Sequence, residues 1–399
     1  MRAPWRRLRG LDPVLRRNLA IDIGVNAGAG LTMSLVGVIL PVVARREGVD
    51  ALGLAVLATT GFVANILTLF AGRIGVRSPR GIVALRAIGG ACLVLMLPLP
   101  APATLALLVL VFWLSISMVF PYQVRLWGAI YPTGARGRLV GLVGTGRAAT
   151  AAIAALVGGA LADRIGGLEV IALGGLAGMV LGALAWGYRV PGTTSEAPYD
   201  FRRSLRALNA TPRLRRITIA QGFQGAGFVT AAPLYAFVHV DRLQLSLSEV
   251  GFLGILAAGA TTLACLPWGG MVDRRGGLRV FRFGSIGAVV ALALYAWAPG
   301  YPALCIAAVA TGICNASVEM ATQAVISESV PAAERTAAMA GWSAVLGIRG
   351  VISPFIGTTL LTLGIVDVSG GIAIGAAFAL AGVLLFRSAE RLPVRPVPR

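Results

Sequence analysis

Ionisable residues interrupt several long apolar runs of this sequence. Asp22, Arg147, Glu319 and Arg349 each lie within such a run. A buried carboxylate can accept a proton or bind a cation, whereas a guanidinium can bind an anion or favour the ionised form of a nearby acid. The alternative is a closed ion pair that only holds helices together. Because charge at membrane depth is costly and usually faces a cavity or a partner, all four are candidate site residues.

One of these residues belongs to a longer polar series. Its members recur every four residues and are Thr311, Asn315, Glu319, Gln323 and Ser327. Residues four apart are neighbours on a helix surface, so the series predicts a polar seam along one helix. In a helix buried in lipid, such a seam should face a wet cavity or another helix.

Shorter polar pairs have similar helical spacing. Gln221 and Gln224 are three residues apart, and Asp22 and Asn26 are four apart. All are candidate lining residues of the same kind of cavity. His239, the only histidine, lies at the end of its apolar run. We expect it to be an interfacial residue, with a proton sensor as the alternative.

Depth along each helix predicts which charges could meet. At 1.5 Å per residue, Asp22 is roughly 14 Å from the start of its helix and Arg147 roughly 16 Å from its own. Glu319 and Arg349 are roughly 18 and 21 Å deep by the same rise. Each half of the chain therefore offers one acid and one Arg at a similar depth, which could form a pair.

The elements that carry these residues are long apolar stretches. Hydrophobic residues make up 57% of the 399 residues and charged residues only 13%, so the bilayer must be the solvent for most of the chain. A span needs about 20 apolar residues, and twelve stretches qualify. They are 19–44, 51–71, 81–98, 102–124, 138–161, 168–188, 216–240, 247–271, 278–298, 301–327, 336–363 and 369–387. Asp12 and Pro13 form a capping and first-turn signal ahead of the first stretch.

The arginines predict the orientation of these spans. All 35 basic residues are Arg, and three of them, Arg86, Arg147 and Arg349, lie in the interior of the stretches, away from their ends. The loops on one side hold only four, namely Arg45, Arg46, Arg164 and Arg242. The rest lie on the side of the two termini, which the positive-inside rule makes cytoplasmic. The distribution of Arg thus predicts placement in the cell inner membrane with both termini in the cytoplasm. Because the basic residues lie in short stretches between apolar runs, the net charge of +19 does not indicate a nucleic-acid surface.

The two halves of the chain repeat each other. Gly72 and Gly270 lie at matching turns 198 residues apart, and Pro132 to Arg136 matches Pro331 to Arg335 at 199 residues. This offset indicates an internal duplication, as secondary transporters use. We therefore expect an N-terminal six-helix bundle at 1–190, a cytoplasmic linker at 191–215 and a C-terminal six-helix bundle at 216–399.

The linker contains an amphipathic segment. Phe201, Leu205 and Leu208 fall at helical spacing with Arg between them. This pattern predicts a helix that lies on the inner membrane surface. A solvated basic loop is the alternative.

Two short segments have distinctive sequences. One reads Gly270-Met271-Val272-Asp273-Arg274-Arg275-Gly276-Gly277-Leu278-Arg279, and it resembles the signature loop of the major facilitator superfamily. The stretch from Gly134 to Gly141 resembles the Arg-Gly segment that begins the fifth span of many members. The resemblance covers essentially the whole chain. The copy of the signature loop in the first half departs from the pattern, because Gly75 stands where the second half has Asp273.

The resemblance implies both a fold and an activity. The fold is an all-α membrane protein of twelve transmembrane helices, in two six-helix bundles related by a pseudo-two-fold axis. The first, fourth, seventh and tenth spans resemble the set that lines the cavity of the family. The gating loop would comprise Gly270, Asp273, Arg274, Gly276 and Arg279, with charges that hold the bundles together on the inner side.

The function that this implies is secondary active transport of small solutes by alternating access. Proton-coupled efflux through Glu319 or Asp22 is one hypothesis. A solute uptake permease of the same fold is an alternative, as is a transporter-like sensor or scaffold that does not transport. We expect a monomer whose partners are a small-molecule solute, protons and membrane lipid. The sequence has no phosphate-binding loop, zinc-type histidine pair or serine elbow, so we expect no enzyme activity, cofactor or metal.

Overall fold

The computed structural model describes residues 12–67, 78–132, 135–190, 201–297, 299–331 and 334–392. Within these ranges the chain is almost entirely helical, and no strand occurs. Three features singled out in the sequence lie outside them. These are Gly72 and Gly75 of the first-half loop, Gly134, and residues 191–200 of the linker.

Twelve long helices and one short helix make up the described chain. They are α1 (Pro13–Arg46), α2 (Ala51–Leu67), α3 (Pro79–Leu95), α4 (Pro102–Ile130), α5 (Arg136–Ile165), α6 (Gly167–Gly187), α7 (Phe201–Leu208), α8 (Pro212–Phe237), α9 (Leu247–Arg275), α10 (Gly277–Trp297), α11 (Tyr301–Ser329), α12 (Arg335–Ile352 with Pro354–Thr362) and α13 (Val368–Glu390). Nine of these described helices are long and apolar enough to cross a membrane. With α2, α3 and α8 they match the twelve predicted spans.

The first helix begins where the sequence predicts. The Asp12 side chain accepts hydrogen bonds from the amides of Val14 and Leu15, at 3.0 and 3.2 Å. Pro13 occupies the first helical position, where its missing amide hydrogen costs nothing. The capping signal is therefore confirmed.

The two halves pack their helices in the same pattern. In the first half α1 and α3 pack on α6, and α2 packs on α4. The second half repeats these contacts, because α8 and α10 pack on α13 and α9 packs on α11. Each helix of the second half has a number seven higher than its counterpart in the first. Between the halves, α5 packs on α9 and α12 packs on α2. Each of these two contacts is the pseudo-symmetric copy of the other, which is the arrangement expected of two related bundles.

The helix ends define two faces of the molecule. We call the face that carries Asp12, α7 and Leu392 the terminal face, and the opposite face, which carries Glu47 and Ser246, the distal face. At the terminal face the side chains of Arg282 and Glu390 form an ion pair between the start of α10 and the end of α13. An even number of spans puts both ends of the described chain on this one face.

Helices approach closely where both partners are glycine. A Cβ built on Gly375 of α13 would lie 2.6 Å from the carbonyl oxygen of Gly227 on α8. No larger side chain fits at such a crossing, and small residues are what membrane helices use to bring backbones together. This contact fixes α8, which carries Gln221 and Gln224, against its own bundle.

Residues Phe201–Leu208 of the linker form the helix α7. One face of α7 packs against α12, where a Cβ on Gly341 would lie 2.5 Å from the Ser204 carbonyl oxygen and 3.0 Å from Leu208 Cδ1. Ala207 and Leu208 are buried in this contact. The apolar face of the helix is therefore directed at least partly toward protein. The next helix, α8, begins at Pro212, four residues before the expected start of the second bundle.

Candidate functional site

A cavity of about 1080 Å³ lies between the two halves of the molecule. Helices α1 to α5 contribute residues to it from one half, and α8 to α12 from the other. Much of its wall is apolar or aromatic, including Trp113, Phe228 and Tyr295. Its size is at the upper end of the range typical of small-molecule sites, about 300 to 1,000 Å³.

Six of the nine candidate site residues line this cavity. They are Asn26, Arg147, Gln221, Gln224, Asn315 and Arg349. The other three, Asp22, Glu319 and Gln323, are not among its described lining residues. The fold therefore brings most of the polar residues singled out in the sequence to one place, and it sets the two acidic residues apart from that place.

Asp22 lies next to the cavity but is completely buried. Five side-chain donors surround its carboxylate. Oδ1 accepts from Asn26 Nδ2 at 2.9 Å, Tyr188 Oη at 2.9 Å and Gln123 Nε2 at 3.3 Å, and Oδ2 accepts from Trp127 Nε1 and Tyr131 Oη, both at 2.7 Å. A carboxylate offers about four lone-pair positions. Both oxygens of Asp22 are thus saturated by hydrogen bonds without any ion pair.

The pairing of Asp22 with Arg147 is not formed. Arg147 lines the cavity with an exposed side chain, and it has no hydrogen bond or ion pair within the described residues. Depth along a helix does not fix which way a side chain points round its axis. Apart from Asn26, one turn along α1, the donors that surround Asp22 come from the end of α4, from Tyr131 just beyond it and from Tyr188, more than 100 residues away in the chain.

Arg86 is a cavity residue that the sequence did not select as a site. It lies on α3, lines the cavity and is only 7% exposed. Its Nε and one terminal nitrogen are buried and have no hydrogen-bond partner. Arg86 also lies close enough to Arg147 for the two cations to repel each other. The signal was available, because Arg86 is one of only three arginines in the interior of the predicted spans, away from their ends.

In the second half, Arg349 extends from α12 to α8. One of its terminal nitrogens donates to the Gln221 carbonyl oxygen at 2.7 Å and to Gln221 Oε1 at 2.8 Å. The guanidinium occupies the space above Gly225, where any Cβ would overlap it. Its Nε is buried and unpartnered. Gln221 and Gly225 together hold a cation at the wall of the cavity.

The polar seam of α11 runs from the cavity toward the terminal face. Thr311 and Asn315 line the cavity, whereas Glu319 and Gln323 are exposed beyond it. Among the residues that the structure describes, Glu319 makes no hydrogen bond or ion pair, so it does not contact Arg349. The second acid and Arg pair suggested by depth is thus also absent.

The distal end of the cavity carries an aromatic group. His239 is buried there, and its Nε2 lies 3.2 Å from the hydroxyl of Tyr295, whose ring stacks on Tyr235 at 4.0 Å between centroids. The expectation that His239 is an interfacial residue is wrong. The apolar run ends near this residue, but α8 continues past it in one π-helical turn, Val238–Arg242, which buries the imidazole.

The gating segment is mostly helical and not a loop. Gly270, Asp273 and Arg274 lie in the last turns of α9, which continues to Arg275. The turn itself is made by Gly276, whose φ of 79° suits glycine. Asp273, Arg274 and Arg279 are exposed. The predicted charged contact between bundles at this place is not formed among the described residues.

The distal face holds the two halves together with polar contacts. Arg45 of α1 forms an ion pair with Asp241 at 2.9 Å, and Arg46 donates to the Leu245 carbonyl oxygen at 2.6 Å. Asp163 of α5 accepts from the backbone amides of Leu247 and Ser248, both at 2.8 Å. We call these contacts the distal seal. They join the two halves on the face opposite to the chain ends.

Comparison with known proteins agrees with this description. Residues 217–399, the second half of the chain, match the family model described as Major Facilitator Superfamily. A comparison with curated protein sequences finds no match.

Solved structures match over nearly the whole chain. A point mutant of the nucleoside transporter NupG has a TM-score of 0.77 at 14% identity, covering 93% of this chain and all of that one. The POT family transporter PepTSo has 0.73 at 13% identity, covering 94% and 98%. A bacterial homologue of the human lysosomal transporter Spinster, inward-facing and occupied, has 0.72 at 14%, covering 96% and 98%. The second half of this chain therefore matches the major facilitator superfamily, and the chain as a whole has the fold of these solved structures, that of a multi-pass membrane protein.

Proposed function

We propose that this protein is a secondary active transporter that moves a small solute by alternating access. The two bundles, 1–190 and 216–399, rock about the central cavity, and residues 191–215 connect them on the cytoplasmic side. The observation that carries the proposal is a cavity of about 1080 Å³ with polar groups from both halves, which the distal seal joins on one face.

The conformation described here is inward-facing in this proposal. The distal seal is closed, whereas side chains on the terminal halves of helices from both bundles are exposed, such as Arg138 and Thr145 on α5 and Glu319 on α11. The arginine distribution supports a cytoplasmic terminal face in the cell inner membrane. Solute would then enter or leave the cavity from the cytoplasm in this state.

For coupling, we propose Glu319 as the carboxylate that exchanges protons during efflux. It is exposed and unpaired within the described chain, so it can gain and lose a proton without breaking a hydrogen bond. Asp22 is the weaker candidate, because protonation would displace one of five donors. We therefore expect a Glu319→Gln variant to lose the dependence of flux on a pH gradient, and Asn315→Ala, one turn away, to retain it. Full pH dependence in Glu319→Gln would contradict this assignment.

Alternating access can be tested by measuring flux before and after the distal seal is cross-linked. Proteoliposomes would be assayed with labelled uridine, a labelled dipeptide and 2-naphthoate under an imposed pH gradient. A variant with Arg45→Cys and Asp241→Cys carries one thiol on each side of the distal seal and can be bridged by a short bis-methanethiosulfonate reagent. We expect saturable flux of at least one solute, its loss on bridging and its return on reduction.

The two single-cysteine variants, treated in the same way, are the controls for the native thiols. Flux that persists at the same rate in the bridged protein would contradict alternating access. The absence of protein-dependent flux for every solute, in both directions, would contradict transport of these solute classes.

A further inference from the structure

We propose that the cavity binds an organic anion, with its carboxylate or phosphate group held by Arg86, Arg147 and Arg349 and its apolar part against the aromatic wall. This inference rests on the proposed transport function and names the chemical class of the solute. It follows from the charges that line the cavity, from the missing partners of the arginines and from their distribution between the two halves.

The charged lining of the cavity has a single sign. Arg86, Arg147 and Arg349 contribute to the described wall, and no Asp or Glu does. Asp22 is adjacent, but all of its acceptor positions are used by neutral donors. Glu319 is exposed farther along α11, outside the described lining. A solute in the cavity therefore meets excess positive charge.

The arginines lack the partners that buried cations normally have. Transferring a charge out of water is costly unless it is paired and hydrogen-bonded. Arg86 is 7% exposed with two unpartnered nitrogens, and Arg349 has an unpartnered Nε. Arg147 repels Arg86 and has no acid beside it. An anion would supply acceptors for these donors and remove the repulsion.

The arginines also lie on both sides of the cavity. Arg86 and Arg147 belong to the first half, and Arg349 belongs to the second. Guanidinium groups bind carboxylate and phosphate oxygens in pairs of parallel hydrogen bonds. An anion bound by both halves would draw them together, so its binding would favour closure of the cavity around it.

The remaining wall defines the rest of the solute. Trp113, Phe120 and Phe228 present aromatic rings to the cavity. Aromatic surfaces favour flat apolar groups, whose burial stabilises binding in proportion to the area removed from water. An acid group attached to an aromatic or hydrocarbon body fits both features of the wall.

Matched probes separate charge from shape. The purified full-length protein in nanodiscs would be titrated by calorimetry with 2-naphthoate, 2-naphthyl phosphate, 2-naphthamide and 2-naphthamidine at low and physiological salt. We expect at least one anion to bind about tenfold or more tightly than the neutral amide, and the cationic amidine to bind weakest. The two anions distinguish a carboxylate from a phosphate as the preferred group.

Variants on one helix connect this preference to the arginines. Arg147→Gln should weaken binding of the preferred anion about tenfold, and Arg147→Lys should restore part of the loss. Arg138→Gln, on the same helix but outside the described lining, should leave binding unchanged. Because the Arg147 side chain is exposed, these variants should fold as the parent does, which a melting curve checks.

The proposal is overturned if the amide or amidine binds as tightly as both anions, if none of the probes binds, or if Arg147→Gln has no effect. Saturable flux of uridine or the dipeptide without any preference for anions would contradict the proposal that the solute is an organic anion, but it would still support the transport function. Preferential anion binding without flux of any solute would support the anion-binding site and contradict transport.

Discussion

At the scale of single residues, the central feature is that the buried acid and the buried arginine differ in their hydrogen-bond partners. Asp22 is buried with five donors on its carboxylate, whereas Arg86 is buried with two nitrogens that have no partner. A satisfied buried group rigidifies its surroundings, and an unsatisfied one is costly unless a ligand completes it. We therefore assign Asp22 to holding α1, α4 and α6 in position and the arginines to binding.

The role of Asp22 can be tested by stability. Replacement of Asp22 by Asn keeps the shape but puts an amide group against donors, so at least two buried donors lose their acceptor. At about 1 to 3 kcal/mol each, we expect the free energy of unfolding to fall by about 2 kcal/mol or more, and thermal unfolding of the purified protein to begin several degrees lower. Asp12→Asn is the control on the same helix, because Asn caps a helix about as well as Asp. Equal melting of both variants would contradict the assignment.

The position of the Arg349 guanidinium against Gly225 and Gln221 can also be tested. An added methyl group at Gly225 would overlap the guanidinium, so Gly225→Ala should displace it from Gln221. Charged hydrogen bonds contribute about 1.5 to 3 kcal/mol, and we expect binding of 2-naphthyl phosphate to weaken about tenfold in calorimetry. Gly222→Ala, one turn earlier on α8, adds a methyl group in open space and should bind as the parent does. Equal affinities in the two variants would show that the position of Arg349 does not matter.

At the scale of helices, the capping of α9 by a residue of the other half is the most specific contact between the bundles. Asp163 on α5 accepts from the first amides of α9, where a negative charge is favourable. A cap of this kind contributes about 1 to 2 kcal/mol. Because it forms only while the distal seal is closed, its loss should shift the equilibrium toward distal opening.

Labelling from the distal side measures this shift. In Asp163→Ala, we expect Leu253→Cys, a buried lining residue, to react severalfold faster with a membrane-impermeant maleimide than in the parent, both in a background without native cysteines. Asp367→Ala removes a similar cap of α13 that lies within one half and should leave the rate unchanged. If both variants accelerate labelling equally, the cap does not hold the seal.

The helices themselves were largely predictable, because a run of about 20 apolar residues is typical of a membrane-spanning helix. The internal repeat, the capping of α1 and the amphipathic α7 also follow from local patterns. The partners of the polar side chains do not. Asp22 and Arg147 were expected to lie at a similar depth, yet the Asp22 carboxylate contacts Trp127 and Tyr131 instead. The role of Arg86 could not be predicted from the sequence for the same reason, because its position at the cavity depends on how α3 packs.

At the scale of the whole molecule, two bundles with the same internal packing meet at two symmetric contacts, α5 with α9 and α2 with α12. A symmetric pair of contacts can open at one face while it closes at the other with little change inside either bundle. In the proposed alternating access, the distal seal and the cavity belong to one cycle, in which solute binding between the halves biases the next step.

Distance measurement between the two halves at the distal face tests this account most directly. Spin labels at Glu47→Cys and Leu363→Cys, both exposed, would report the separation by pulsed electron resonance in nanodiscs. We expect a short main distance, plus a longer population that grows in the Asp163→Ala background and changes again with 2-naphthyl phosphate. A single distance that is unchanged by the variant and by the anion would contradict alternating access about this cavity.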